Sequence, residues 1–416
     1  LITRHLSLLM GSKGPTIVGL DLGSTKTCAL VCEQTEKGKL RVAGFGRAES
    51  KGWRRGTIVN LDSAVLAIKK AVEAAEDAAD RPVDNAYVGV GGPYLKGVDS
   101  RGALTLGRHN QSSRQVTHED RRKVFQAAQA ITLPSDRKVI YAEPQEYFLD
   151  SQDGIRNPVG MVGSRLEVNI HLVTASVTAH ENVVTAVNRA GIVVNDTIYE
   201  ALAAAAACLT ADERELGVAL IDIGGGNSNL IIYHEGTVRY SAAMPIGGDH
   251  FTNDVAVGLR TPIPEAEKMK LAWEERDGSQ HEGAPLEAAS VDESPSRRAK
   301  HAALREIIEP RAQEFLELIA AEIERSGLHQ QLGSGIVLTG GGGKLGGLPA
   351  MAEKLLELPV RLGQPAGLEN MGVELRDALY ATVVGLVIHG YRLRLLHDSQ
   401  TAGLTGKFWG MFRGKN

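Results

Sequence analysis

The chain has 416 residues, 43% hydrophobic and 23% charged, the balance of a soluble globular protein with a real core and roughly two to four domains at ~150 residues each. Forty-six Lys and Arg against 50 Asp and Glu leave a net charge of −4, which argues against nucleic-acid binding driven by global charge. Three cysteines, Cys28, Cys32 and Cys208, are too few and too odd in number for a disulfide scaffold and point to a reducing compartment, while no run of ~18 apolar residues is long enough to span a bilayer.

In chain order, residues 1–10 (LITRHLSLLM) read as a start-site extension before Met10, since they lack the cleavage site of a signal peptide. Strand-like and helix-like segments then alternate in the α/β manner. Val18-Gly-Leu-Asp21-Leu-Gly23-Ser-Thr is an apolar strand delivering an Asp into a Gly-led turn, followed by a second apolar strand over 28–32. Asp62 or Ser63 is placed to cap a helix running to Ala79, with Val65, Leu66, Ile68 and Val72 on its apolar face. Gly89-Val-Gly91-Gly92 does not complete a dinucleotide-binding fingerprint. Ala219-Leu-Ile-Asp222-Ile-Gly224-Gly-Gly repeats the first unit without a gap, again with a second strand at 230–233, and suggests two related halves; the plain alternative is chance similarity of two hairpins.

Residues 276–298, rich in Gly, Ser, Pro and acid, read as an exposed loop in the second half. Pro310 near a start and Gly327 beyond an end bracket a helix with Phe315, Leu316, Ile319, Ala320 and Ile323 on one face. Gly335-Ile-Val-Leu-Thr339-Gly340-Gly341-Gly342-Gly343 is a strand ending in a Gly run, with a helical pattern from Pro349. It is no Walker A loop, because Leu345 follows Lys344 where Ser or Thr is required. Residues 397–406 are polar and Gly-bearing and separate the body from the last residues.

Turns with Gly let backbone N–H groups approach an anion, because no Cβ blocks the way. Gly23, Ser24, Thr25 and Lys26 form one such turn, with two hydroxyls and a cation, and Gly224, Gly225 and Gly226 form the other. Asp21 and Asp222 are placed to hold Mg²⁺ over the same phosphates, directly or through water. The backbone of Gly340, Gly341 and Gly342 offers a flat surface on which a purine and ribose can lie.

Together the three elements resemble the actin-like ATPase superfamily, and within it the FtsA family of bacterial cell division proteins. The resemblance runs over residues 17–396 and includes Pro144-Gln145-Glu146-Tyr147, Gly154-Ile-Arg-Asn-Pro158-Val-Gly, Asp212-Glu213-Arg214-Glu215-Leu216-Gly217 and Ile308-Glu309-Pro310-Arg311. It implies an α/β actin-like fold of two ribonuclease-H-like halves with ATP and Mg²⁺ between them, an inserted 1C subdomain, and a C-terminal amphipathic membrane helix. The expected division is 15–84, 166–212 and 370–396 for subdomain 1A, 85–165 for 1C, 213–250 and 332–369 for 2A, and 251–331 for 2B, then a linker over 397–403 and the membrane helix over 404–416. It further implies head-to-tail self-association, binding of the FtsZ C-terminal tail through 2B, contact with anionic lipids at the inner face of the cytoplasmic membrane at the septum, and later division partners. No nucleic acid is expected.

Residue roles follow from the same resemblance. Asp21 and Asp222 match the superfamily's metal-coordinating acids, and Asp222 and Glu200 are the catalytic candidates. Glu200, in Tyr199-Glu200-Ala-Leu-Ala-Ala-Ala, resembles the Glu that orients the attacking water in relatives; the plain alternative is an acid favoured at a helix start. Asn227 stands where many relatives have Thr and supplies no hydroxyl, so turnover is expected to be slow at most. Glu267 and Lys270 match an Ala-Glu-x-x-Lys segment that holds adenosine; the alternative is a surface ion pair. Arg297 and Arg311 match positions contacting the FtsZ tail, where a planar guanidinium suits carboxylates.

The last residues carry their own signal. On a helical wheel Leu404, Phe408, Trp409, Met411 and Phe412 span an arc of ~160°, flanked by Lys407 and Arg413, as in a helix lying at a membrane surface. A pilus-assembly protein of the PilM type does not account for this tail, a small-molecule kinase of the superfamily would need a catalytic Asp for an acceptor, and a chaperone would need a substrate domain.

Overall fold

The computed structural model describes residues 15–107, 113–274, 285–288 and 297–401. The first half begins with β1 (Thr16–Leu22), β2 (Lys26–Gln34) and β3 (Leu40–Glu49), a short hairpin β4 (Trp53–Arg54) and β5 (Thr57–Ile58), and helix α1 (Leu61–Ala79). β6 (Asn85–Val90) follows, then an excursion of β7 (Leu95–Thr105), β8 (Arg114–Gln115), α2 (His118–Gln129), β9 (Arg137–Leu149), β10 (Gln152–Ile155), β11 (Val162–Gly163) and β12 (Arg165–Ser176). The half closes with α3 (Val177–Arg189), β13 (Val193–Tyr199) and α4 (Glu200–Cys208).

The second half holds α5 (Ala211–Leu216), β14 (Val218–Ile223), β15 (Ser228–His234), β16 (Thr237–Met244), α6 (Gly248–Leu259), α7 (Ile263–Glu274), β17 (Pro285–Ala288), β18 (Arg297–Lys300) and α8 (His301–Ser326). It continues with β19 (Ile336–Thr339), α9 (Leu348–Leu356) and β20 (Val360–Leu362), and α10 (Ala381–Thr401) returns to the first half.

The repeat read in the sequence is a repeat of topology. The first sheet is ordered β13-β6-β1-β2-β3 and the second β16-β15-β14-β19-β20, so in each half three antiparallel strands precede two parallel ones. The registers coincide as well: Asp21 lies opposite Cys28 in one hairpin, and Asp222 opposite Asn229 in the other. β1 and β14 are central strands, which is why their apolar runs are nearly continuous rather than alternating.

The excursion forms its own sheet, β10-β9-β12-β7, with α2 on one face. The boundaries drawn at 85 and 165 therefore shift. β6 pairs with β1 in the first sheet, whereas β12 pairs with β7 and β9 in the insert. Apolar patterning shows that a strand exists but not which sheet it joins.

Other expectations need correction too. The cap of α1 is Asn60, whose side chain accepts from Ser63 N at 2.9 Å, because the helix begins one residue before Asp62. Leu66 is exposed; the buried face is Ala64, Ala67, Ile68, Ala71, Val72 and Ala75. Small residues are required there because β3 lies directly on the helix: a Cβ on Gly46 would sit 2.0 Å from Ala71 O. Pro310 is inside α8, not at its start; an interior Pro costs ~3 kcal/mol in helix stability, and burial of Leu304, Ile308, Ala312, Phe315 and Leu316 on both sides offsets it. Part of the expected loop 276–298 is ribbon, with β17 and β18 pairing antiparallel. The polar stretch expected to begin a linker at His397 is helical through Thr401.

Contrary to the expectation that no segment is long and apolar enough to span a bilayer, Ala378–Leu396 is so by length and composition, yet half of it is buried in the body. Its role in the fold is a core helix packed on α4 and β1. The core around it contains Tyr199, Ala203, Leu386 and Val387 together with Leu220, Ile231 and Val337, so α4 and α10 join the two halves into one packed unit.

Candidate functional site

The hairpins β1–β2 and β14–β15 bring their turns to the two sides of one cleft of about 270 Å³, near the lower end for ligand pockets. Of the residues singled out in the sequence, Asp21, Gly23, Ser24, Thr25, Lys26, Glu200, Asp222, Gly224, Gly225, Asn227, Glu267, Lys270, Gly340, Gly341 and Gly342 all line it. Gly226 is the exception. It packs behind the turn, where an added Cβ would be 2.8 Å from Ser24 Oγ and 3.0 Å from the Arg55 Cα.

Close backbone approach explains the glycines. A Cβ on Gly225 would meet Thr25 Cγ2 at 2.4 Å across the cleft. Gly340 has a φ of +77°, and a Cβ there would be 2.4 Å from Asp222 Oδ1. Gly224 N donates to Asn227 O at 2.9 Å and closes the second turn. The first turn is covered by the 53–58 hairpin, whose Gly56 N donates to Ser24 Oγ at 3.3 Å.

The charges are arranged in pairs. Asp21 and Asp222 are both buried; Lys26 Nζ donates to Asp21 Oδ2 at 2.9 Å and Thr382 Oγ1 donates to Asp222 Oδ2 at 2.9 Å. Burial lifts the Asp222 carboxyl to about 6, against the Thr382 hydrogen bond and with the help of the Asp21 charge. Burial on its own lowers the Lys26 ammonium, but Asp21 dominates with the other neighbouring groups and holds it above its ordinary value. Glu200 opens α4, and Asn229 Nδ2 donates to its Oε2 at 3.1 Å. Burial, then the Asp21 and Asp222 charges, raise its carboxyl well above the usual range.

On the far wall, Glu267 and Lys270 form an ion pair at 2.9 Å, and Lys270 Nζ also donates to Gly248 O at 3.3 Å and Thr252 Oγ1 at 3.1 Å. The pair is both an i,i+3 bridge and part of the cleft.

Arg311 lies on α8 and is already engaged. Its Nε is 2.5 Å and its Nη2 3.2 Å from the Asp254 carboxylate, and Nη1 contacts Glu314. Arg297 opens β18 opposite Ala288. Leu404, Lys407, Phe408, Trp409, Met411, Phe412 and Arg413 lie outside the described residues.

Sequence reasoning missed Asn229, Thr382 and the 53–58 hairpin. Asn229 was within reach, since it follows Asp222 at the spacing at which Cys28 follows Asp21. Its Oδ1 also accepts from Gly92 N at 3.3 Å, so the Gly91-Gly92 pair dismissed as an incomplete fingerprint borders the cleft through Gly91. A Cβ on Gly91 would lie 1.7 Å from Glu200 Oε2. Thr382 had no local signal.

Two halves of one topology around a polar cleft define the actin-like class of folds, and solved structures agree. A chain of the PilM-PilN type IV pilus biogenesis complex superposes with a TM-score of 0.63 at 15% identity, covering 90% of this chain and 98% of that one. MreB5 of Spiroplasma citri bound to ADP gives 0.55 at 14%, covering 92% and 98%. Sequence comparison narrows the class. The family model described as "Cell division protein FtsA" matches residues 219–385, and that described as "SHS2 domain inserted in FTSA" matches 92–174. Cell division protein FtsA of Pseudomonas aeruginosa is 39% identical over 397 residues, covering 94% of this chain and 93% of that protein. The Escherichia coli K12 protein of the same name is 34% identical over 392 residues, covering 92% of each. The chain belongs to the FtsA family of cell division proteins.

Proposed function

We propose that this chain is an ATP-binding, polymerising protein that tethers FtsZ filaments to the inner face of the cytoplasmic membrane and helps assemble the septal ring. The observation that carries the nucleotide reading is the meeting of two equivalent Asp–Gly turns across one cleft, with backbone so close that added Cβ atoms would collide. Such a cradle fits a polyphosphate. Among the described residues no group of three His, Cys, Asp or Glu could hold a metal ion. Two carboxylates alone suit Mg²⁺, which keeps several waters and shares the phosphate oxygens.

The bound magnesium nucleotide would supply the reactive γ-phosphate. The N–H groups of the two turns and the Lys26 ammonium would hold its phosphates, and Gly340, Gly341 and Gly342 with Glu267 and Lys270 would hold its nucleoside. Glu200 is suited to hold a water at its carboxyl group, which Asn229 Nδ2 orients through Oε2. Asn227 in place of a hydroxyl supports slow turnover. Arg311 would exchange Asp254 for a carboxylate of the FtsZ tail, and Arg297 would offer the tail a second guanidinium.

The membrane reading is supported by residues 404–416, whose aromatic and basic pattern suits an interfacial helix. The test is co-sedimentation with anionic liposomes in the presence of ATP, comparing the full chain with one ending at Gly403. Pelleting of the full chain alone is expected; equal behaviour of the two would remove the tether.

A further inference from the structure

Outside the cleft, three polar side chains connect the insert to the second half. His171 on β12 is 1% exposed, and its Nδ1 lies 2.6 Å from Asp99 Oδ1 on β7. Its Nε2 lies 2.8 Å from Ser241 Oγ on β16, the edge strand of the second sheet. With Nδ1–H donating to the Asp99 carboxylate, Nε2 accepts the Ser241 proton, so both ring nitrogens and the Ser241 hydroxyl are bonded. The order of groups resembles a nucleophile, base and acid. Ser241 is only 4% exposed, however, so its hydroxyl serves here as a bonding partner.

The strands are brought together tightly enough for this. A Cβ on Gly97 would lie 2.5 Å from both Ser241 O and Oγ and 3.0 Å from His171 Cε1. Gln145 on β9 adds a second link, donating to Val238 O at 3.1 Å.

What each strand does at its other end gives the connection a consequence. β7 emerges from the Gly91-Gly92 turn, which bears on Glu200 and donates to Asn229. β16 runs out into residues 245–249, where Gly248 N donates to Gly224 O at 2.9 Å and Asp249 N to Gly225 O at 2.8 Å. Each strand is thus fixed at one end to the cleft and along its length to the other strand. We propose that Asp99, His171 and Ser241 form a latch that fastens the insert to the second half and couples the insert's orientation to opening and closing of the cleft.

Hydrogen–deuterium exchange of the full chain tests this in the absence of nucleotide, FtsZ and lipid, so its outcome is independent of the proposed function. Ser241→Ala removes the hydroxyl without adding bulk, and Gly97→Ala forces the strands apart while retaining all three polar side chains. Both variants are expected to exchange about five- to tenfold faster over residues 95–101 and 238–244, the scale of one lost hydrogen bond. The increase should extend to 89–92 and 245–249 and leave α1 and β19 unchanged. Unchanged exchange in both strands would overturn the latch, as would an equal rise over α1 and β19. A rise confined to the two strands, with the cleft turns unaffected, would overturn the coupling.

Discussion

At the end of β14, Asp222 is buried beside Asp21, accepts from Thr382 and has its carboxyl lifted to about 6 by burial. In the unfolded chain the same group titrates near ~3.9. Between these values the native state binds the extra proton, so its contribution to stability is full below pH ~4 and is lost as pH rises through about 6. Two units correspond to roughly 3 kcal/mol of charge burial above that range. Asp222→Asn keeps an acceptor for Thr382 and removes the charge. In urea denaturation it should stabilise the ligand-free chain by roughly 1–3 kcal/mol near neutral pH and remove this part of the decline between pH ~4 and 6. A less stable variant at pH ~8, or an undiminished slope, would show that the charge is not the source. The same variant should bind magnesium nucleotide more weakly, the usual conflict between site chemistry and stability.

Among the elements, α10 shows how close packing of a core helix can depend on single glycines. Gly385 faces α4 so closely that a Cβ would be 1.7 Å from Ala203 O, and Gly390 packs on the Tyr87 ring with a Cβ position 2.4 Å from Cδ2. Backbone cannot yield as a flexible side chain can, so Gly385→Ala should destabilise by more than the ~1–3 kcal/mol of ordinary overpacking. Helix propensity alone would favour the change by about 1 kcal/mol; a thermal midpoint at or above that of the parent chain would mean α10 moves away at little cost. The same element shows what could be read beforehand. The Asp–Gly repeat was legible because strand, turn and strand are contiguous and each half repeats the pattern. Thr382 was not, because it reaches Asp222 only once α10 has crossed the chain, and no periodicity encodes that crossing. Pro310 misled for a related reason: a local breaking tendency was outweighed by burial of side chains from distant elements. Arg311 was expected to face a partner's carboxylate, and nothing in the sequence pointed to its internal partner Asp254, which lies far away along the chain.

For the whole molecule, the proposed tether would hold an assembling body to the membrane through a tail of modest affinity. Each large side chain among Leu404, Phe408, Trp409, Met411 and Phe412 contributes at most ~1.5–3 kcal/mol on full burial. Lys407 and Arg413 add about 1 kcal/mol each at an anionic surface. Gly406 and Gly410 oppose helix formation by about 1 kcal/mol each, so folding of this segment and contact with lipid should occur together. On this proposal a single tail would bind reversibly, whereas neighbouring tails along a filament would gain about 10²–10⁴ in avidity. Binding of the full chain to anionic vesicles with ATP should therefore rise steeply with protein concentration, followed by the blue shift of Trp409 fluorescence against a Trp409→Phe control. Salt should weaken it, because lipid attraction of Lys407 and Arg413 is screened within about 8–10 Å. A simple hyperbolic isotherm, unchanged when polymerisation is blocked, would mean that one tail suffices and that assembly has no part in holding the protein to the membrane.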